Sequence, residues 1–257
     1  MKSLPQALVA LISLLCGGSA CATDLPTPQN KSGAEKAPAA TAAASPNENV
    51  KAEAKTRVAC VGDSITQGVG AANGESYPAQ LQRLLGDQWQ VLNFGVSGRT
   101  MLRKGDNPYW NEKQFQEALA SKPGAVIIML GTNDTKPQNW KHKGEFADDY
   151  RDMVRQFLAL DPKPRVFICR PVPVPGAGNF GINEAGVQEQ IPMLDALAKE
   201  LGVEVIDMHA ALTGKPETLP DRVHPNTAGA AEMAKAAYTA LTGKAAPADI
   251  PAASKAE

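Results

Sequence analysis

Five short apolar runs punctuate the chain: Arg57–Val61, Gln90–Phe94, Ala125–Leu130, Arg165–Cys169 and Val203–Asp207. Val and Ile are frequent in them, and their apolar positions are continuous rather than alternating. Short continuous runs suit strands covered on both faces, as in a parallel sheet. Between them the spacing turns helical. Tyr77–Leu85 sets Leu81, Leu84 and Leu85 on one face, and Phe146–Leu160 gathers Tyr150, Met153, Val154 and Phe157. Val187–Leu201 does the same with Ile191, Leu194, Leu197, Ala198 and Leu201. Thr227–Leu241 is Ala-rich and follows Asn226, a good capping residue. The alternation of strand and helix predicts an α/β fold, a doubly wound sheet of five parallel strands.

The two ends break this pattern. Lys2 precedes an apolar run from Ala7 to Cys16, which is too short to span a bilayer. Small residues at Gly18 and Ala20 then lead to Cys21, the arrangement of a cleaved export signal over residues 1–20. A Cys directly after a small residue also resembles a bacterial lipoprotein signal, although Gly18 stands where Leu is usual. The expectation is an exported protein: a cell-envelope lipoprotein held to the membrane through lipid on Cys21, or a free periplasmic or secreted one. Residues 21–56 have no aromatic side chain, and Leu25 and Val50 are their only large aliphatics. Such a stretch cannot bury enough apolar surface to offset its ordering entropy, so it reads as an Ala/Pro-rich disordered tether. Residues 243–257 read as a disordered tail of the same character. One folded domain is therefore expected over residues 57–242.

Charge narrows the function. There are 26 Lys plus Arg against 27 Asp plus Glu, which argues against a nucleic-acid partner. Aromatics make up only 5% of the chain, so any aromatic in a loop is worth attention. Past the signal, Cys60 and Cys169 each lie within an apolar run. They are two buried thiols or, in an exported protein, a disulfide if their Cα atoms come within about 7 Å.

Ligands of doubly wound sheets bind beyond the carboxyl ends of the strands. Four of those places hold unusual polar clusters. The first is Gly62-Asp63-Ser64-Ile65-Thr66-Gln67-Gly68, where a Ser in a strand-to-helix turn presents its hydroxyl at the mouth of the sheet. No Gly-Lys-Ser/Thr triplet follows, which excludes a phosphate-binding loop of that type, while a simple capping Ser stays open. The second, Asn93 to Thr100, carries Gly95 and Gly98, which allow backbone N–H groups close to a ligand. The third, Gly131-Thr132-Asn133-Asp134, offers an amide donor at Asn133 and a loop-anchoring carboxylate at Asp134. The fourth, Asp221-Arg222-Val223-His224-Pro225-Asn226, puts a carboxylate three residues before a His, so that it can meet Nδ1 and leave Nε2 to take a proton. Only three His occur, none in a His-x-x-x-His arrangement, and no close Cys pair lies in the domain, so a zinc enzyme is disfavoured.

As a set in this order, the four clusters resemble the SGNH (GDSL-type) hydrolase superfamily, over about Val58 to Leu241. The resemblance implies a three-layer α/β/α sandwich. It implies Ser64 as nucleophile, His224 as base and Asp221 as the His partner. The oxyanion hole would be Ser64 N–H, Gly98 N–H and the Asn133 amide, and such a mechanism needs no metal or organic cofactor. The runs Asn93–Trp110 and Met129–Trp140 further resemble bacterial GDSL esterases of the sialate O-acetylesterase and acetylxylan esterase-like kind. The expected function is a carboxylic ester hydrolase for short-chain esters, above all acetyl groups on carbohydrates. Alternatives are an arylesterase, thioesterase or lysophospholipase with the same machinery, or a surface-anchored glycan-binding protein on an inactivated hydrolase fold. The loops are polar, which suits a small-molecule or glycan ester better than an oil surface. Arg99, Tyr109, Trp110 and Trp140 are candidate substrate contacts, with the aromatics equally able to pack loops onto the body.

Overall fold

A computed structural model describes residues 54–252. The export signal, Cys21 and most of the tether lie outside the described residues.

The described chain runs β1 (Thr56–Gly62), α1 (Ser64–Gln67), α2 (Tyr77–Leu85), β2 (Trp89–Gly95), α3 (Lys113–Ala120), β3 (Ala125–Met129), α4 (Pro137–Trp140), α5 (Phe146–Leu158), β4 (Arg165–Arg170), α6 (Glu184–Leu201), β5 (Glu204–Asp207), α7 (Met208–Leu212) and α8 (Thr227–Thr242). All five strands are parallel, in the order β2-β1-β3-β4-β5. Each anticipated strand forms to within a residue or so. Helix α3, not anticipated, buries only Phe115 and Ala118, too few for a clear periodic signal.

The continuous apolar runs are explained by two cores, one on each face. Val58, Cys60, Ile127, Met129, Phe167 and Cys169 point to one side, where α2, α7 and α8 contribute Tyr77, Leu81, Met208, Met233 and Ala237. Ala59, Val61, Val126, Ile128, Val166 and Ile168 point to the other, where α3, α5 and α6 supply Phe115, Tyr150, Met153, Phe157, Leu194 and Leu197. A strand residue inside such a sandwich has no solvent side, so polar alternation is absent. The result is the three-layer α/β/α sandwich. Cys60 and Cys169 are both buried free thiols rather than a disulfide, and burial pushes the Cys60 thiol up to about 12.

Helix ends are fixed locally. Ser76 caps α2, Asn183 caps α6 and Asn226 caps α8, each accepting a backbone N–H from its helix's first turn. After α8, the chain at Ile250 still packs against the α2/α8 core. The strand order places a topological switch between β1 and β3. From β1 the chain goes to β2 on one side, then crosses to β3 on the other, opening a crevice at the strand carboxyl ends.

Candidate active site

Ser64 opens α1 directly after β1 and is 7% exposed. Asp63 shapes this turn: one carboxylate oxygen accepts the Ile65 N–H at 3.0 Å, as a helix cap. The turn is pinned to the loop after β2. Gln67 Oε1 accepts the Ser97 N–H at 3.0 Å, and Asn93 Nδ2 donates to the Thr66 carbonyl at 2.8 Å. Gly95 permits that approach, because a Cβ there would lie 2.2 Å from Gln67 N. Gly98 has φ +79°, the left-handed region that glycine enters without cost.

His224 reaches Ser64 from the far end of the chain. Its Nε2 lies 2.9 Å from Ser64 Oγ, and its Nδ1 lies 2.6 Å from Asp221 Oδ2. Asp221 Oδ1 accepts the N–H groups of Val223 and His224, at 2.9 and 2.7 Å. Partial burial works against a charge on Asp221. The His224 N–H, the His224 ring and the Val223 N–H outweigh it and hold the carboxyl below the usual range. The carboxylate therefore stays ionised and aligned with the ring. The spacing expected from Asp221 and His224 is thus realised as a tight turn, with Arg222 at φ +70°. Asp207 is occupied elsewhere, capping α7 and pairing with Arg170.

Ser64 N–H, as the first helical N–H, has no intrahelical acceptor. Gly98 N–H likewise has no intramolecular acceptor among the described residues. Both residues line a cleft of about 270 Å³ together with Asn133, Lys136 and His224. Asn133 is less available than the sequence suggests. Its Nδ2 donates to Asp63 Oδ2 at 3.2 Å and to the Arg99 carbonyl at 3.1 Å, so the amide is held by two long hydrogen bonds. Asp134 turns away and anchors the loop after β2: its carboxylate accepts the Met101 and Leu102 N–H groups at 2.9 and 2.7 Å. Burial raises both neighbouring carboxyls, Asp63 to about 6 and Asp134 to about 7.

The other candidate contacts sit elsewhere. Tyr109 is 0% exposed, with its hydroxyl donating to the Phe94 carbonyl, which corrects its expected contact with substrate. Trp110 donates its ring N–H to the Met101 carbonyl and lies under the Arg103 guanidinium. Trp140 donates to Glu189 and packs edge-on against Phe146. Arg99 pairs with Glu112 and bonds the Ser97 carbonyl, bracing the Gly98 turn. None of the four lines the cleft. Fixing loops onto the body uses up their polar atoms. The side chains that do line it and were not anticipated are Val69, Phe180 and Ile182. Phe180 lies between Asn179 and Gly181 in a Pro/Gly-rich stretch, and that isolated aromatic was the signal available. Among the described residues no three His, Cys, Asp or Glu side chains converge as a metal site would, and no helix is long and apolar enough to cross a membrane.

Residues 60–232 match the model of the GDSL-like lipase/acylhydrolase family. An acetylxylan esterase of Xylanibacter ruminicola is 41% identical over 206 residues, covering 72% of this chain and 43% of that protein. An uncharacterised esterase of Bacillus subtilis is 29% identical over 169 residues, or 60% of this chain and 42% of that one. The chain thus spans less than half the length of these curated relatives. Among solved structures, a carbohydrate acetylesterase from Sinorhizobium meliloti superposes with a TM-score of 0.63 at 25% identity, over 74% of this chain and 99% of the other. With a fold, a strand-end crevice and a matched stretch that all coincide, the chain belongs to the GDSL-like lipase/acylhydrolase family.

Proposed function

We propose that the protein is a serine esterase that removes short acyl groups, acetyl foremost, from carbohydrate esters. The observation that carries this is the continuous Ser64–His224–Asp221 relay, at 2.9 and 2.6 Å, opening on a small cleft. His224 Nε2 takes the Ser64 hydroxyl proton as Oγ attacks the ester carbonyl, and Asp221 stabilises the imidazolium. The oxyanion is met by the Ser64 and Gly98 N–H groups. Asn133 joins them by exchanging its 3.1 Å contact with the Arg99 carbonyl for the oxyanion. The imidazolium then protonates the alcohol oxygen, the C–O bond breaks, and an acyl-Ser64 remains. Water, losing a proton to His224, attacks that acyl group, and the imidazolium returns the proton to Ser64 Oγ as the acyl–Oγ bond breaks and the acid leaves.

The relative named an acetylxylan esterase and the neighbour named a carbohydrate acetylesterase support an acetylated sugar as substrate. The test is release of acid from acetyl, butyryl and octanoyl esters and then from acetylated glycans. Acetyl should be preferred, and Ser64→Ala should abolish release while leaving the fold intact. Hydrolysis that survives Ser64→Ala would sink the mechanism. Export, with lipid attachment at Cys21, is proposed on the sequence alone, from the apolar run Ala7–Cys16 and the small residues before Cys21.

A further inference from the structure

Phe180 is 58% exposed, and Val69 at 41% is the other large apolar side chain left open among the described residues; both line the cleft at Ser64. Phe180 also has φ +55°, a backbone region that a bulky L-residue avoids. An aromatic ring that is both exposed and conformationally strained persists only where its surroundings hold it, and such positions cluster at functional sites.

Its surroundings do hold it. The Phe180 N–H donates to Asn179 Oδ1 at 2.9 Å, and the Ile182 N–H closes the turn on the Asn179 carbonyl at 2.8 Å. Asn179 Nδ2 donates to the Asp221 carbonyl at 3.1 Å, so the turn is tied to the residue that orients His224. Ile182 is buried with Val174, Val187 and Val223, the last of which immediately precedes His224. The Phe180 ring consequently stands beside the imidazole, centroids 5.8 Å apart and planes tilted by 55°.

Chemistry then says which part of an ester meets this ring. The leaving oxygen must come within hydrogen-bond reach of His224 Nε2 to receive its proton. The group attached to that oxygen therefore lies along the imidazole, where Phe180 is. We infer that Phe180 forms the wall of a leaving-group subsite, built for an alcohol whose ring presents a flat C–H or π face, such as a pyranose or an aryl group. This rests on the esterase reading and adds the side of the substrate that the cleft selects.

The experiment holds the acyl group constant and varies the alcohol. Wild type, Phe180→Ala and Phe180→Trp are assayed on methyl acetate, phenyl acetate and an acetylated methyl pyranoside, with thermal melts as a control. Phe180→Ala should lower kcat/KM about tenfold for the two ring alcohols, the scale of one lost ring contact, and less than twofold for methyl acetate. Phe180→Trp should restore the ring substrates. An equal fall on all three esters would mean that the ring acts only through His224, and no fall on any would mean that it touches nothing; either overturns the subsite. A wild type inert on all three would instead remove the esterase reading, and the subsite with it.

Discussion

Replacing Asp134 by Ala separates the scaffold of the site from its chemistry. The carboxylate accepts two backbone N–H groups, from Met101 and Leu102, and all three residues are 0% exposed. Without it two buried donors lose their acceptors, at about 1–3 kcal/mol each, so a loss of about 2–6 kcal/mol is expected. That is a large share of the stability of about 5–15 kcal/mol typical of a domain. The loss should also depend on pH. Burial raises the folded-state value of Asp134 from 3.8 to about 7, so the folded protein keeps a proton that the unfolded chain gives up. Wild-type stability from this group is therefore greatest in acid and falls as pH rises toward neutrality, by about 2 kcal/mol between about pH 5 and pH 7. Asp134→Ala lacks that slope, so the gap between the two proteins should narrow as pH rises. Asp63, also raised by burial, adds a slope of the same sign to both. Guanidinium unfolding followed by Trp fluorescence and circular dichroism measures the gap near pH 5 and near pH 7. A variant as stable as wild type near pH 5, or a gap that widens toward neutrality, would refute this account of the loop anchor.

Asn133→Ala should cost about 10²–10³ in kcat, as one oxyanion donor is worth, and should also lower the melting temperature, because Asp63 Oδ2 and the Arg99 carbonyl lose their donor; near-normal turnover would remove Asn133 from the oxyanion hole. Ser64→Ala and His224→Ala should each abolish nearly all turnover, with Asp221→Ala milder. The double variant Asp221→Ala/His224→Ala should then be no worse than His224→Ala, because the carboxylate acts through the ring; full additivity in kcat would show a separate task for Asp221. Cys21→Ala should move the protein from the membrane to the soluble exported fraction, and unchanged partition on fractionation would exclude lipid attachment there.

The central strands β1, β3 and β4 were legible because they are covered on both faces and so carry near-continuous apolar runs, while the edge strands β2 and β5 are only partly covered and keep polar residues such as Gln90 and Asn93. The relay was legible because Asp221 and His224 are three residues apart, close enough for sequence spacing to speak about geometry. What stayed hidden depends on partners distant in sequence. Tyr109 and Trp110 looked available to a ligand, but their polar atoms are taken by the Phe94 and Met101 carbonyls. The two acceptors of Asn133, Asp63 and the Arg99 carbonyl, come from the ends of two other strands. Phe180 sits in a stretch without periodicity, and only the turn that ties Asn179 to Asp221 brings it to His224.

Ser64 and His224 are 160 residues apart in sequence. Closing a flexible loop of that length costs about 4–5 kcal/mol in chain entropy, whereas one hydrogen bond returns about 0.5–1.5 kcal/mol net. The pair cannot draw itself together; its alignment is inherited from α8 docking against α2 through Met233, Ala234 and Ala237. A chain still emerging from the ribosome lacks the proposed base, and one cut before α8 keeps His224 but not the packing that holds it against Ser64. On the proposed mechanism, turnover would therefore report on the joining of the first and last parts of the domain, and a packing defect on the buried face of α8 would silence a serine at the opposite end of the sequence.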